Sequence, residues 1–515
     1  MGIAALIVSG GVLLSRILGQ VREMIFAGML GADAVTDQYV AAFRIPDFLN
    51  YLLAGGFLSI TFIPIFSRYL ARGSEAEGWQ ALSAILKPIT AGAIGLLIIG
   101  WNFAPGVIEA IYPEFTEEQI DITVRLTRIA MPAQIFFVLG ALFSSVQYAK
   151  GQFLIPTLAP IIYNLSMIIG GIAFALVTGH PDPEGFIWGA VIGAFVGNFA
   201  LQWWGAQRVG MRLNFTGKWK HPALREYVVI ALPLMIGQSI VMLDESFMSI
   251  FGDLVGDGAQ TQLQYARRTM LVPVGVIAQA AGVAAYPFLA RLFAAGRHTE
   301  MAATVDKALR WVLALSIGAA ALLAALSQPA IQVLFQRFHF TPVDTTATAS
   351  ALFFFAFAVP LWGGLQVITR AFYASRNMWT PVLVGTGTTI LAIPIYWRLQ
   401  LSHGLPGVAV SGVLALSIYT IALAILWYRQ PLNRGRLGTV LDTAGRAVVP
   451  SILGGFGAYS LARATTHFLG ESFISALLSL IIGVLAFAIT ALVATTLMWR
   501  IQSRTEATNE TPAGR

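Results

Sequence analysis

GGVLLSRILGQVRE, residues 10–23, is the stretch on which the fold turns. It sits inside the first long apolar segment of the chain, yet it carries Arg16, Arg22 and Glu23. An arginine at the centre of a bilayer costs at least ~2.5–3.5 kcal/mol on insertion scales, so intramembrane charges face one another or a water-filled cavity. In a chain built for lipid, charges so placed need a partner or a purpose.

The chain of 515 residues is 57% hydrophobic and only 11% charged, against about 25% charged in soluble domains. Its mean hydropathy is +0.73. Apolar runs of about 20 residues, each long enough to cross a hydrocarbon core of roughly 30 Å, recur along its length. The expected class is an all-α polytopic membrane protein with about fourteen transmembrane helices. Their limits are read as 3–31, 36–70, 79–109, 120–149, 153–178, 185–208, 224–251, 259–294, 305–336, 346–375, 378–400, 406–428, 440–464 and 472–499. Pro46 and Pro273 lie inside the long second and eighth segments and are expected to kink or break them. The first apolar segment lacks a basic leader and a small-residue cleavage site, so it reads as a retained span.

The loops sort by charge. Basic connections are RYLARG at 68–73, Lys150, MRLNFTGKWKHPALRE at 211–226, Arg291 with Arg297, Arg370 with Arg376, and Arg429 with Arg434 and Arg436. The intervening connections, GADAVTD, YPEFTEEQID, GHPDPEG and GDLVGDG, are acidic or nearly neutral. Lys and Arg are retained on the cytoplasmic side. Both termini are therefore expected in the cytoplasm, which an even number of spans requires.

An internal repeat is visible. QYAKGQFLIP at 147–156 matches FYASRNMWTP at 372–381, and PIFSR at 64–68 matches PFLAR at 287–291, at offsets of 225 and 223 residues. Two parallel repeats of six spans follow, an arrangement common in transporters that rock two bundles about a central site. Residues 1–210 form the expected N-terminal lobe (spans 1–6), 211–430 the C-terminal lobe (spans 7–12), 431–500 two extra transmembrane helices, and 501–515 a polar, disordered cytoplasmic tail.

Much chemistry is excluded. There is no cysteine, which removes disulfides, thiolate catalysis and cysteine metal sites. The six histidines, His180, His221, His298, His339, His403 and His467, lie in loops or at helix ends. No HExxH, Walker-type loop or helical His pair occurs. The reading is a non-enzyme without a resident cofactor and without nucleic acid as partner, despite a net charge of +7.

The deep charges remain. They are Arg16, Arg22, Glu23, Asp37, Arg44 and Asp47 in the first half, and Asp244, Glu245, Arg267 and Arg268 in the second. One reading is mutual neutralisation, Arg22 with the neighbourhood of Glu23 or with Asp37, and Arg267 with Asp244. Asp37 also reads as a helix N-cap beside Thr36. The other reading is an external anion, because the guanidinium fork suits phosphate and carboxylate. Arg16 and Arg22 lie about 9 Å apart along a helix axis and about 120° around it, with Gly19 between them. A long headgroup spans that distance and a compact metal ion does not.

SRILGQVRE at 15–23, FAGMLGADAVTDQYVAAFRIPDFL at 26–49 and FIPIFSRY at 62–69 resemble the start of the MurJ (MviN) family of lipid II flippases. YARRTMLVPVGVIAQAAG at 265–282 resembles its eighth-helix motif. QFLIPTLAPIIYN at 152–164 and RAFYASRNMWTP at 370–381 resemble its two cytoplasmic repeat motifs. The resemblance covers essentially the whole chain. It implies the multidrug/oligosaccharidyl-lipid/polysaccharide exporter fold, with two six-helix lobes around a cationic cavity. It implies a lipid-tail groove on the two extra helices. It also implies alternating access carrying lipid-linked disaccharide-pentapeptide (lipid II) to the outer leaflet of a bacterial cytoplasmic membrane. The expected partners are this lipid and the membrane lipids, with the chain acting as a monomer.

The family's first-helix arginines fall on Arg16 and Arg22, its second-helix aspartate on Asp37 and its eighth-helix arginine on Arg268. In PDFLNYLLAGG at 46–56, Asn50 and Tyr51 stand where the family has paired arginines, and Gly55 where it has glutamate. Arg44 is the candidate substitute, and Arg267 stands where the family's acid would be. Asp244 resembles a sodium ligand of some members, while PVLVGTGTTILAIPIYW at 381–397 offers no Asn or Asp partner. The coupling ion, Na+ or H+, stays open. Two further readings stand beside the leading one: a flippase for another polyprenyl-pyrophosphate-linked glycan, and a cation-coupled drug exporter, whose cavity would be acidic or aromatic rather than arginine-rich.

Overall fold

The computed structural model describes residues 2–53, 57–214, 221–279, 286, 288–293, 295–433 and 436–509. Among them every regular element is a helix. Among the described residues seven helical segments are long and apolar enough to cross a membrane, and the pair Pro342–Ala356 and Ala358–Ala374, bent by 43°, makes an eighth when taken as one span. In lipid every backbone N–H and C=O has to be paired internally, which helices achieve within one segment. The chain is an all-α polytopic membrane protein.

The second segment does not run as one helix. It breaks at Phe43, between α2 (Ala34–Ala42) and α3 (Arg44–Leu53), with Pro46 in the first turn of α3; α4 (Phe57–Ala71) carries the later part of the segment. Proline lacks an N–H, so it sits best in a first turn. The eighth segment begins as an α-helix, Ala259–Val274, with Pro273 inside its end, and passes into a π-helical turn, Gly275–Gln279. Spans eleven and twelve appear as one 50-residue helical run, Trp379–Tyr428, broken only at Gly404, whose φ of 56° suits glycine.

The chain divides into two compact units: Met1–Thr261 with Arg337–Phe340, and Gln262–Gln336 with Thr341–Arg515. In the first unit, α1 (Gly2–Leu30) packs on α8 (Leu154–Thr178), and α8 packs on α9 (Pro183–Gly193). The sequence between α4 and α8 folds as α5 (Glu75–Ile111), α6 (Glu117–Ala130) and α7 (Ala133–Ala149). After α9 come a π-helical stretch, Ala194–Ala200, then α10 (Leu201–Arg208) and α11 (Pro222–Asp253). Phe62, Phe66, Trp79, Leu82 and Phe143 belong to one buried apolar cluster in it.

Lipid tails are as apolar as these side chains, so burial supplies little drive between membrane helices and close packing takes its place. Glycines show where. A Cβ at Gly140 would lie 1.7 Å from the Asn198 carbonyl oxygen, and one at Gly189 2.4 Å from that of Ser166. Only hydrogen fits at either position.

The second unit holds the rest of the helix Ala259–Val274, which we call α12, then α13 (His298–Ala325), α14 (Ser327–Phe335), α15 (Pro342–Ala356), α16 (Ala358–Ala374), α17 (Trp379–Tyr428), α18 (Leu437–Leu469) and α19 (Phe473–Asn509). Val305, Leu309 and Val312 of α13 pack with Leu365, Ile368 and Phe372 of α16 and with Leu423 and Trp427 of α17. Asp306 is buried here and held by the Tyr428 hydroxyl at 2.8 Å and by Arg436 at 3.2 Å. The two last helices pack on each other, with Gly454 against the Phe487 ring.

Candidate functional site

Helix α1 runs unbroken through Arg16, Gly19, Arg22 and Glu23, so the spacing of about 9 Å between the two arginines holds. Arg16 is exposed and Arg22 half-buried. In a membrane helix bundle such exposure places a charge beside lipid or an aqueous cavity rather than in the packed core.

Arg22 is held from two sides. Its Nη1 donates to Asn164 Oδ1 at 3.0 Å and to Met167 Sδ at 3.1 Å, both on α8. Its Nε donates to Glu23 Oε1 at 3.1 Å, and Nη2 donates to the same oxygen. Asn164 is itself fixed, because its Nδ2 donates to the carbonyls of Ser15 at 3.3 Å and Pro160 at 2.9 Å. Of the two neutralisation partners that the sequence offered Arg22, the structure pairs it with Glu23.

Asp37 is engaged elsewhere. Its Oδ2 accepts from the Gly258 N–H at 2.7 Å. Its Oδ1 accepts from the Thr261 N–H at 2.9 Å and the Thr261 hydroxyl at 2.7 Å. These donors lie at the start of α12, where helix N–H groups lack internal partners and carry the positive end of the dipole. Asp37 therefore caps a helix, but a remote one. Its own helix, α2, is capped by Asp33 in a reciprocal box with Thr36. Gly258 adopts φ +80°, and a Cβ there would lie 2.2 Å from the Ala32 carbonyl oxygen. Its backbone reaches Asp37 because it has no side chain.

Arg44 opens α3 half-buried, with its guanidinium beside the Tyr112 hydroxyl. Tyr112 is fully buried and bonds Ser249 at 3.0 Å. Ser249 donates to Gln260 Oε1 at 2.6 Å, and Gln260 Nε2 donates to Asp253 Oδ1 at 3.2 Å. Since the serine proton goes to Gln260, Tyr112 is the donor to Ser249. One directed chain thus runs from Tyr112, beside the Arg44 guanidinium, to the Asp253 carboxyl. Asp253 ends α11, two residues past the expected limit of the seventh span, and burial pushes its carboxyl up to about 7. Glu114 and Asp257 nearby add to the rise, while the bonds from Gln260 and the Glu114 N–H oppose it.

Asn50 is half-buried on α3, six residues after Arg44. Arg267 and Arg268 are half-buried neighbours on α12, and consecutive helical residues point about 100° apart. Asp244 lies in α11, and its side chain falls outside the described residues. Among the described residues no cluster of His, Asp and Glu is arranged to hold a metal ion.

Asn164, Ser249, Asp253, Gln260 and Thr261 were not singled out from the sequence. For Asn164 a signal was present, since it ends the motif QFLIPTLAPIIYN. The other four lie in or beside GDLVGDG, which reads there only as an acidic loop.

This geometry meets known proteins as follows. A chain from Rhizobium tropici described as "Probable lipid II flippase MurJ" is 27% identical over 474 residues, covering 88% of this chain and 85% of that one. A solved structure titled "Lipid II flippase MurJ, inward closed conformation" superposes with a TM-score of 0.78 at 22% identity, covering 96% and 99% of the two chains. An inward-facing multidrug resistance MATE family transporter of the MOP superfamily superposes at 0.65 with 14% identity, over 83% and 96%. At these identities the two structures speak for the fold alone. The family profile described as lipid II flippase MurJ matches residues 26–479, a stretch that begins just after the Arg22 clamp and takes in both the Asp37 cap and the eighth-helix arginines; the chain belongs to the MurJ family.

Proposed function

We propose that this chain moves lipid II, a lipid-linked and pyrophosphate-bearing peptidoglycan precursor, from the inner to the outer leaflet of the bacterial cytoplasmic membrane by alternating access. The observation that carries the proposal is Arg22: a half-buried guanidinium in the first helix, set in place by Asn164 and Glu23. Family membership supplies the substrate class, and the arginine supplies a chemical reason for it. Phosphate takes two parallel N–H donors from one guanidinium, a geometry that lysine does not offer.

In this proposal Arg16, Arg22, Arg267 and Arg268 provide the positive field that draws the headgroup. Asn50 and Tyr51 stand where the second helix departs from the family's arginine pair, and Arg44 is the candidate substitute for the missing charge. The field of a water-filled cavity depends on total charge more than on one contact, which lets the charge be spread differently. Asp37 serves the cycle as the cap on α12: contacts that form in one conformation and break in another are what alternating access requires. The lobes of the transport cycle are the two six-span repeats, 1–210 and 211–430. Both termini face the cytoplasm, and the chain works as a monomer.

A flippase for a different polyprenyl-pyrophosphate glycan is kept as a second reading because Asn50, Tyr51 and Gly55 depart from the family pattern. A leaflet-protection assay separates the two. Lipid II is made in cells depleted of their own flippase and supplied with this chain. Exposure of the headgroup on the outer face supports lipid II; failure with lipid II but success with another glycan lipid supports the alternative.

A further inference from the structure

The bonds of Arg22 leave little of its fork available. A guanidinium has five N–H donors. Two go to Glu23 Oε1, from Nε and Nη2, and the Nη1 group is shared between Asn164 Oδ1 and Met167 Sδ. A phosphate that binds this side chain through two donors has to take an edge from one of these partners.

The partners are not equivalent. Asn164 is neutral and is itself tied to the carbonyls of Ser15 and Pro160. Glu23 is an anion, so it competes with phosphate for the same positive charge. It also fits the edge poorly, since both donors converge on one oxygen. The favoured geometry uses two oxygens, one per N–H. Residues 22 and 23 are consecutive in a helix and leave the axis about 100° apart, so the arginine has to fold back to meet the acid. A phosphate offers the same edge two oxygens without that bend.

We infer that Glu23 is an exchangeable counter-ion of Arg22: it occupies the Nε–Nη2 edge and is displaced by a phosphate group, while Asn164 stays and keeps the guanidinium in place. The pairing has a physical purpose. The Arg22 and Glu23 side chains are only 17% and 10% exposed, and a bare cation so placed is costly, whereas a pair is tolerated. Exchange preserves one anion on the arginine throughout. It also sets affinity as a difference between two anions, which lets a headgroup leave again. This inference rests on the phosphate-binding reading of Arg22 given above.

The test is pyrophosphate binding by calorimetry to the full chain in lipid nanodiscs at neutral pH, for wild type, Glu23→Gln, Arg22→Ala and the double variant. Glutamine keeps an acceptor oxygen but removes the competing charge, and charge-assisted hydrogen bonds are roughly twice as strong as neutral ones. Glu23→Gln should bind pyrophosphate about ten-fold more tightly than wild type, a change of about 1.4 kcal/mol. The same change in the Arg22→Ala background should be silent. If Glu23→Gln leaves affinity unchanged or weakens it while Arg22→Ala weakens it, Glu23 is a fixed partner and exchange is wrong, but the arginine reading stands. If Arg22→Ala does not weaken binding, the arginine reading fails and takes the exchange with it. Should Glu23→Gln not fold, Glu23→Asp draws the acid back by one methylene and should tighten binding in the same direction by less.

Discussion

Asp37 and Thr261 are 224 residues apart in sequence, yet one carboxylate oxygen of Asp37 takes both the backbone N–H and the hydroxyl of Thr261. A buried carboxyl group is thereby satisfied by the first turn of a helix. A hydrogen bond of this kind contributes about 0.5–1.5 kcal/mol net. Thr261→Val removes one such bond and leaves the backbone bond, so it should lower stability by about that amount. Thermal unfolding of the purified protein measures it, and an unchanged midpoint would mean that the hydroxyl contributes nothing to the cap.

Gly258 supplies the third bond to Asp37 from a conformation with φ +80°, against the Ala32 carbonyl. Gly258→Ala adds a methyl group that would lie 2.2 Å from that oxygen. Both the strained φ and the collision oppose it. The variant should lose several degrees of melting temperature and most transport. Thr261→Val should be milder, and the reverse order would contradict the geometry described.

Asp253 carries the pH prediction. Its folded-state value of about 7 lies above the usual 3.8. The folded protein therefore binds the extra proton between about pH 4 and 7, and stability attributable to this group falls as pH rises through that window. Melting temperatures of wild type and Asp253→Asn, measured from pH 5 to 8, should converge at low pH and separate towards pH 8, with the variant the more stable. Parallel curves would show that Asp253 does not titrate there.

Membrane character and helix-by-helix order were legible in the sequence, because apolar runs and proline positions leave direct marks. Pro46 in the first turn of α3 and the π turn after Pro273 are examples. The partners of the deep charges were not legible. Asn164 meets Arg22 across 142 residues, and Ser249, Gln260 and Thr261 are neutral polar groups with no periodic or charge signal. What decides their role is which helix ends the fold brings together, and only tertiary packing supplies that. The capping of Asp37 shows the same limit: N-cap chemistry was readable from its residue type, but the helix it caps was not.

Orientation rests on loop charge. Cysteines placed at Ser74 and Thr116 of this naturally cysteine-free chain should label from opposite sides of the membrane, Ser74 only after the cytoplasm is opened. Labelling of both from outside would overturn the arrangement.

In the proposed function the first-helix arginines Arg16 and Arg22 engage the pyrophosphate of a lipid-linked headgroup. The most direct measurement is lipid II exposure on the outer leaflet in flippase-depleted cells carrying wild type, Arg16→Ala, Arg22→Ala or Arg22→Lys at matched expression. Wild type should expose the headgroup, both alanine variants should abolish exposure, and lysine should restore it only in part, because the charge returns without the fork. Normal exposure by both alanine variants would exclude phosphate recognition by these two arginines.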